Sequence, residues 1–281
     1  MNRTLKFIIM KKSIALLVLL TLSISCSKDD TENPNQNEVD TILVSATGET
    51  SFADDADILY GLDLAMNNNS YSSKSNNSNC PSVTVDNSTP GSFPKTFTVD
   101  FGSGCNYAGF FRSGTLMITL SDYVLNINSV LTIERGSNYF INGRQFEGTI
   151  VYTNTTQSGQ NFTWTREINN GVITTLNGLV ISYTDNRVNE LTEGGSTLIL
   201  TDNVYTILSG TRVVTRSNGT NLTAEISSPL VKPYVCSNVT QGILNLNGTF
   251  LDGSLNYGDG TCDNQAIYTH NNGVEYPITL P

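Results

Sequence analysis

The sequence has few charged residues, and positive charge is especially scarce. Only 14% of the 281 residues are charged, and 15 Lys and Arg residues stand against 25 Asp and Glu residues. Four of the basic residues and none of the acidic ones precede Cys26, so the chain from Cys26 onward has 11 basic and 25 acidic residues and a net charge of −14. Because such a surface repels phosphate backbones, we expect no nucleic acid partner.

Several common catalytic motifs are also missing. His270 is the only histidine, which excludes most nucleophile-base-acid arrangements, and the Asn-Asn-Gly segment after it predicts a solvated turn. The sequence contains no G-x-S-x-G elbow and no C-x-x-C pair, and Gly102-Ser103-Gly104 is too short for a phosphate-binding loop. We therefore expect a protein without catalytic activity and without a cofactor.

The apolar run near the N-terminus is too short to cross a bilayer. It extends from Ser13 to Leu22, which is 10 residues, whereas a membrane helix needs about twenty. Two lysines precede it and small residues lead from it to Cys26, as is typical of a cleaved secretion signal. The segment resembles the lipobox of bacterial lipoproteins. The resemblance implies that residues 1–25 are a signal peptide and that acyl chains such as palmitate attach the protein to the membrane at Cys26.

Residues 26–50 are predicted to form a flexible tether, because the chain from Ser27 to about Asp40 is polar and lacks apolar periodicity. Ser27–Glu32 resembles the acidic export tag of surface-exposed lipoproteins in the Bacteroidota, and an ordinary solvated linker is the alternative. The resemblance implies an outer membrane lipoprotein that faces the cell exterior.

Residues 51–79 are predicted to form a short helix followed by an Asn/Ser-rich loop. Apolar residues recur at helical spacing from Phe52 to about Met66. Asp54, Asp55 and Asp57 would lie in the first turn, where carboxylates favour the helix dipole.

Four cysteines remain once Cys26 is assigned to the lipid, and in an exported protein they predict two disulfides. Four cysteines allow three pairings. The spacing favours Cys80 with Cys105 and Cys236 with Cys262, because each of these bridges would close a local hairpin.

From Cys80 to the end of the chain, apolar residues alternate with polar ones, as in β-strands with one buried face. The sets that alternate in this way are Leu116, Ile118 and Leu120; Tyr123, Leu125 and Ile127; Val204, Thr206 and Leu208; and Leu222, Ala224 and Ile226. Asn-Gly and Asp-Gly dipeptides between such segments are typical of tight hairpin turns. Residues 80–281 are therefore predicted to be an all-β domain, a long antiparallel meander that curls into a sandwich or barrel.

Three groups of residues in this domain are candidates for binding or chemistry. Asp252, Asp259 and Asp263 lie in a glycine-rich region and offer oxygen ligands for calcium, although stabilised turns are the simpler interpretation. Trp164 and Phe162 are candidates for stacking on sugar rings, with a place in the core as the alternative. Paired carboxylates could support glycoside hydrolysis without histidine. The acidic residues considered for this role are Glu134, Glu147, Glu167, Asp185, Glu190 and Glu193.

The β domain resembles an uncharacterised family of Bacteroidota surface lipoproteins. The resemblance is carried by Cys80-Pro81, by Phe93–Cys105, by Arg112-Ser113-Gly114, by Pro229-Leu230-Val231 and by Tyr257–Asn264. It implies an all-β secreted lipoprotein and no particular activity. We therefore expect a lipid-anchored, surface-exposed protein with a structural or ligand-binding role, whose ligand is a glycan or a protein. The alternative is a secreted glycoside hydrolase that uses carboxylates.

Overall fold

The computed structural model describes residues 34–35, 39, 57, 80–107, 109–197 and 199–280. About 60% of this part of the chain is β-strand, and the strands form one large antiparallel sheet. The all-β, antiparallel prediction is therefore confirmed. The predicted signal peptide, the predicted tether with Cys26 and the predicted helix lie outside the described residues, apart from a few single positions such as Asp57.

Within the described part of the chain, the sheet contains sixteen strands. In chain order they are β1 (Ser82–Val85), β2 (Lys95–Asp100), β3 (Cys105–Tyr107), β4 (Phe110–Ser113), β5 (Thr115–Leu120), β6 (Val130–Arg135), β7 (Phe140–Ile141), β8 (Arg144–Asn154), β9 (Thr163–Thr174), β10 (Val180–Glu193), β11 (Val204–Arg216), β12 (Asn221–Pro233), β13 (Gln241–Gly248), β14 (Asp252–Asp259), β15 (Gln265–His270) and β16 (Glu275–Thr279). A single turn of 3-10 helix, Leu200–Asp202, precedes β11.

The strand order is that of a meander. Hydrogen-bonded neighbours follow the order β1-β2-β5-β6-β8, and from β8 to β16 every strand pairs with the next one in the chain. The short strands β3, β4 and β7 form a side path that rejoins the sheet at β8. Consecutive hairpins thus account for most of the architecture, as the alternating pattern and the turn residues predict.

One face of the sheet is buried and carries the core. On β5, Leu116, Ile118 and Leu120 are buried while Met117 on the other face is exposed. A first apolar cluster is built mainly on β2, β5, β6, β8, β9 and β10, and a second on β12 to β16. Val39, far from the sheet in sequence, is fully buried in the second cluster. Val39 therefore covers part of the apolar face.

Several predicted turns are present, whereas other local predictions are wrong. Asn142-Gly143 joins β7 to β8 with both φ angles positive, 49° and 79°, as a two-residue hairpin turn requires. Asn170-Gly171 instead lies inside β9 at a β-bulge. The alternating residues Tyr123, Leu125 and Ile127 form the loop between β5 and β6 and are 46%, 74% and 52% exposed. Their alternation predicts a strand, but the residues between β5 and β6 form no strand.

Both predicted disulfide pairings are confirmed. Cys80 is bonded to Cys105 and Cys236 to Cys262, with Cα–Cα distances of 5.9 and 5.4 Å. The first bridge spans the β1–β2 hairpin, in which Val83 pairs with Val99. The second spans the β13–β14 hairpin, where Asn247 pairs with Asp252. Asp252-Gly253 therefore begins β14 and does not form the turn.

Gly114, between β4 and β5, is a position where only glycine fits. Its φ is +83°, and a Cβ atom there would overlap the backbone carbonyl of Asn138. We expect Gly114→Ala to lower the free energy of unfolding by roughly 3 kcal/mol, because it combines left-handed backbone strain with overpacking. Gly178→Ala is the matched control: its φ is +81° with open space around the Cβ position, so we expect a cost of about 1 kcal/mol. Urea denaturation of both variants measures the difference, and equal costs would contradict the steric argument.

Candidate functional site

An open groove of about 420 Å³ lies across β9, β10, β11 and β12. Polar side chains of the exposed face dominate its lining. They are Thr165, Glu167, Asn186, Ser209, Thr211 and Glu225. Val188 and Ile226 add apolar surface, and Gly210 lies in the middle. We refer to this feature as the exposed groove.

The groove forms where the regular pairing between β11 and β12 is interrupted. The register passes from Ile207 opposite Leu230 to Thr211 opposite Glu225, so three residues of β11 face four residues of β12 without regular pairing. β-Bulges of this kind bend a strand and redirect its side chains, and they are frequent beside functional sites. Gly210 permits the close approach, because a Cβ atom there would overlap the carbonyl oxygen of Asn186.

A cluster of charges lies beneath the groove, on the buried face of the sheet. Asp185 is 3% exposed and contacts three guanidinium groups, with nitrogen–oxygen distances of 2.9 Å to Arg166, 3.0 Å to Arg187 and 2.7 Å to Arg212. Burial alone would raise the pKa of Asp185, but the three arginines outweigh burial and hold this pKa well below its usual value. Asp185 is therefore ionised at every physiological pH and cannot act as a general acid.

Arg166 and Arg187 line the groove as well as this cluster. They are neighbours on β9 and β10, and both guanidiniums form ion pairs with Asp185. These buried ion pairs thus hold β9 and β10 together. Exposed side chains of the same two strands line the groove. We call Asp185, Arg166, Arg187 and Arg212 the Asp185 cluster.

A second buried carboxylate, Asp57, which the sequence predicts to lie in the first turn of a helix, has helical backbone geometry and is part of an ion-pair network. Its Oδ1 accepts hydrogen bonds from Arg112 Nη1 and Tyr139 Oη, each 2.7 Å long, and its Oδ2 accepts one of 2.9 Å from Arg135 Nε. The side chains of Asp57, Arg112 and Arg135 are fully buried. Burial and the adjacent Asp57 charge raise the pKa of Tyr139 well above its usual value, so its hydroxyl stays protonated and donates to Asp57.

Trp164 and Phe162 form a small aromatic group with Tyr205. The ring centroids are 5.4 Å apart for Phe162 and Trp164 and 6.3 Å apart for Trp164 and Tyr205. Trp164 projects from β9 on the same face as Arg166, two residues further on, and neither Trp164 nor Phe162 lines the exposed groove. Both are half-buried. The structure therefore separates these aromatic residues from the groove.

The acidic residues considered for hydrolysis are dispersed. Glu167 lines the groove and Asp185 is buried beneath it, whereas Glu134, Glu147, Glu190 and Glu193 do not line it. Glu190 instead accepts a hydrogen bond from Asn161. The second carboxylate of the groove is Glu225, which the sequence reasoning did not single out. The alternation of Leu222, Ala224 and Ile226 could have placed it on the exposed face, but not beside Glu167.

The three aspartates proposed for calcium do not come together. Asp252 and Asp259 are the first and last residues of β14, which places them about 23 Å apart at 3.3 Å per residue. Asp252 accepts a hydrogen bond from Asn271, Asp259 from Thr261, and Asp263 from Gln265. Each carboxylate thus stabilises its own turn, and the described residues contain no group of three or more ligands suited to a metal ion.

His270 ends β15, and its Nδ1 lies 2.7 Å from Tyr268 Oη. Its backbone amide donates to the carbonyl of Val274 across the turn. The residue is half-buried, so it is less solvated than the sequence predicts.

Within the described ranges, no helix is long and apolar enough to cross a membrane. Comparison with protein-family models, with curated proteins and with solved structures gives no match. The interpretation of function therefore depends on the residues themselves.

Proposed function

We propose that the protein is a lipid-anchored lipoprotein, displayed on the outer membrane, whose β domain binds a saccharide ligand in the exposed groove. The lipobox-like segment ending at Cys26, the acidic residues after it and the resemblance to Bacteroidota lipoproteins support the anchor and its location. The exposed groove is the observation that supports a binding role. It combines a cavity with several polar side chains of the exposed face.

The lining of the groove suits a saccharide. Its volume of about 420 Å³ falls within the range of roughly 300–1,000 Å³ that is usual for small-molecule sites. Hydroxyl, amide and carboxylate groups from Thr165, Thr211, Asn186 and Glu225 can donate to and accept from sugar hydroxyls. The net charge of the chain from Cys26 onward is −14, which favours neutral or cationic saccharides over sulfated or phosphorylated ones.

The binding role predicts a specific effect of removing the groove carboxylates. A glycan array probed with the full chain should identify a ligand. Glu167→Ala and Glu225→Ala should each weaken binding roughly three- to tenfold, since one hydrogen bond contributes about 0.5–1.5 kcal/mol. Glu134→Ala, on the same exposed face but outside the groove, is the matched control and should bind normally. Equal binding by all three variants would place the ligand elsewhere.

The anchor predicts that Cys26→Ala abolishes lipid attachment. Cells grown with an alkyne analogue of palmitate should label the wild-type protein, and Cys26→Ala should show no label and leave the membrane fraction. Ser27→Ala is the control and should be labelled as strongly as the wild type. Continued labelling of Cys26→Ala would overturn the lipoprotein assignment.

A carboxylate glycoside hydrolase is the second candidate, because Glu167 and Glu225 share the groove. Glu167 on β9 and Glu225 on β12 have two strands between them. Their backbone positions are therefore three strand spacings, or about 14 Å, apart. Hydrolysis with inversion needs about 6.5–9.5 Å between the carboxyl groups, and retention needs less. The spacing therefore favours binding. Turnover of a bound glycan that is lost in both Glu167→Gln and Glu225→Gln would favour the hydrolase instead.

We also propose that the sheet curls around its buried face, as in a sandwich or barrel. Arg135 on β6 donates a 3.0 Å hydrogen bond to Tyr183 on β10, although β8 and β9 lie between these strands. A hydrogen bond between strands so far apart in the sheet order supports strong curvature.

A further inference from the structure

Arg112 on β4 is a fully buried cation, and only one of its three guanidinium nitrogens donates hydrogen bonds to the described residues. Its Nη1 donates to Asp57 Oδ1 and to Tyr139 Oη, both at 2.7 Å. Its Nε and Nη2 are buried and have no hydrogen-bond partner among the described residues. Buried N–H groups of a charged side chain are costly to leave unpaired, so this pair of donors calls for an explanation.

The two unpaired nitrogens form one edge of the planar guanidinium group. Nε–H and Nη2–H point in the same direction, and this is the side-on edge that carboxylates bind through two parallel hydrogen bonds. The Asp57 carboxylate cannot serve this edge, because its Oδ1 is occupied by Nη1 and Tyr139, and its Oδ2 by Arg135. Arg112 therefore has two parallel N–H donors, on one edge of its guanidinium group, that Asp57 does not bind.

The surroundings of Arg112 favour an anion over a water molecule. The guanidinium carbon lies 5.7 Å from the ring centroids of both Phe101 and Phe110. A buried water needs two to four polar partners. A water that accepted both N–H groups would direct its own hydrogens toward these apolar surroundings, whereas a carboxylate has only acceptors and uses both N–H groups fully.

We propose that the Nε–Nη2 edge of Arg112 binds a small carboxylate ion inside the β domain. The site comprises this edge, with the Phe101 and Phe110 rings next to the guanidinium and Asp57 bound to its third nitrogen, Nη1. It is separate from the exposed groove, and it does not depend on the lipid anchor or on saccharide binding.

Thermal unfolding of the purified full chain tests this site, with formate as the probe. Formate should raise the unfolding temperature to a plateau as its concentration increases, since a ligand that binds only the folded state stabilises it. Sodium chloride at the same ionic strength should not. Arg112→Lys keeps the positive charge but lacks the planar edge, so its formate response should be lost. Arg144→Lys, on β8, is the control and should respond as the wild type does.

A crystal structure of the wild-type chain with formate provides a second readout that does not depend on the stability of any variant. Planar density with two oxygens within about 3 Å of Nε and Nη2 is expected. A lone water, a halide, or a side chain of the protein itself at that edge would overturn the proposal. So would a formate response that Arg112→Lys retains.

Discussion

Asp57→Asn is expected to lower the free energy of unfolding by about 3–5 kcal/mol, because removal of one partner from a buried ion pair leaves the other charge uncompensated. Asp57 is the carboxylate to which Arg112 and Arg135 both donate, and all three side chains are fully buried. The amide of asparagine has one oxygen in place of two and no negative charge. It can therefore satisfy at most one of the two guanidiniums.

Urea denaturation of the full chain, followed by circular dichroism, measures this loss as a lower midpoint. Asp263→Asn is the control, because Asp263 is exposed and accepts one hydrogen bond from the backbone of Gln265; we expect it to cost less than about 1 kcal/mol. Arg112 and Arg135 lie on strands of the sheet, whereas Asp57 comes from the segment before it. An Asp57→Asn protein with the wild-type midpoint would therefore contradict the prediction and show that the Asp57 carboxylate contributes little to the stability of the sheet.

Asp185→Asn is expected to cost a similar amount at neutral pH, about 3–5 kcal/mol, and to change how stability depends on pH. The three arginines depress the pKa of Asp185 in the folded protein. A carboxylate with a depressed folded pKa stabilises the protein above its unfolded pKa of about 3.9, and this stability is lost as the pH falls toward the folded value. The stability difference between wild type and Asp185→Asn should therefore be full at pH 7 and shrink progressively below about pH 4.

Unfolding of both proteins in urea at pH 7, 5, 4 and 3 tests this dependence. Asp202→Asn, an exposed substitution outside the cluster, should track the wild type closely. A difference between wild type and Asp185→Asn that stays constant from pH 7 to pH 3 would contradict the argument. It would mean that the carboxylate charge does not stabilise the cluster.

The strand pattern and the disulfides could be predicted from the sequence because both are local properties. Leu116, Ile118 and Leu120 alternate with polar residues, and each cysteine pair closes its own hairpin. The loop around Leu125 shows the limit of this reasoning, because alternation alone does not supply a partner strand. Tyr123, Leu125 and Ile127 in this loop stay exposed.

The buried charge networks and the exposed groove could not be predicted. Asp57 is separated from Arg135 by 78 residues, and nothing in the local sequence indicates that they meet. In the sequence, Asp185 looks like any other acidic residue on a strand. Arg166 and Arg212 lie beside it only because β9, β10 and β11 pair in this register. The groove depends on an interruption of the pairing between β11 and β12, which is a property of register between two strands.

The placement of the two disulfides has a consequence for how the chain matures. The bonded cysteines are 25 and 26 residues apart, and the two loops do not overlap in sequence. In the exported protein that we propose, the N-terminal part crosses the membrane first, so Cys80 and Cys105 become available together well before Cys236 does. An oxidase that joins cysteines in their order of arrival would therefore produce the native pairs directly, and the protein should mature without a disulfide isomerase.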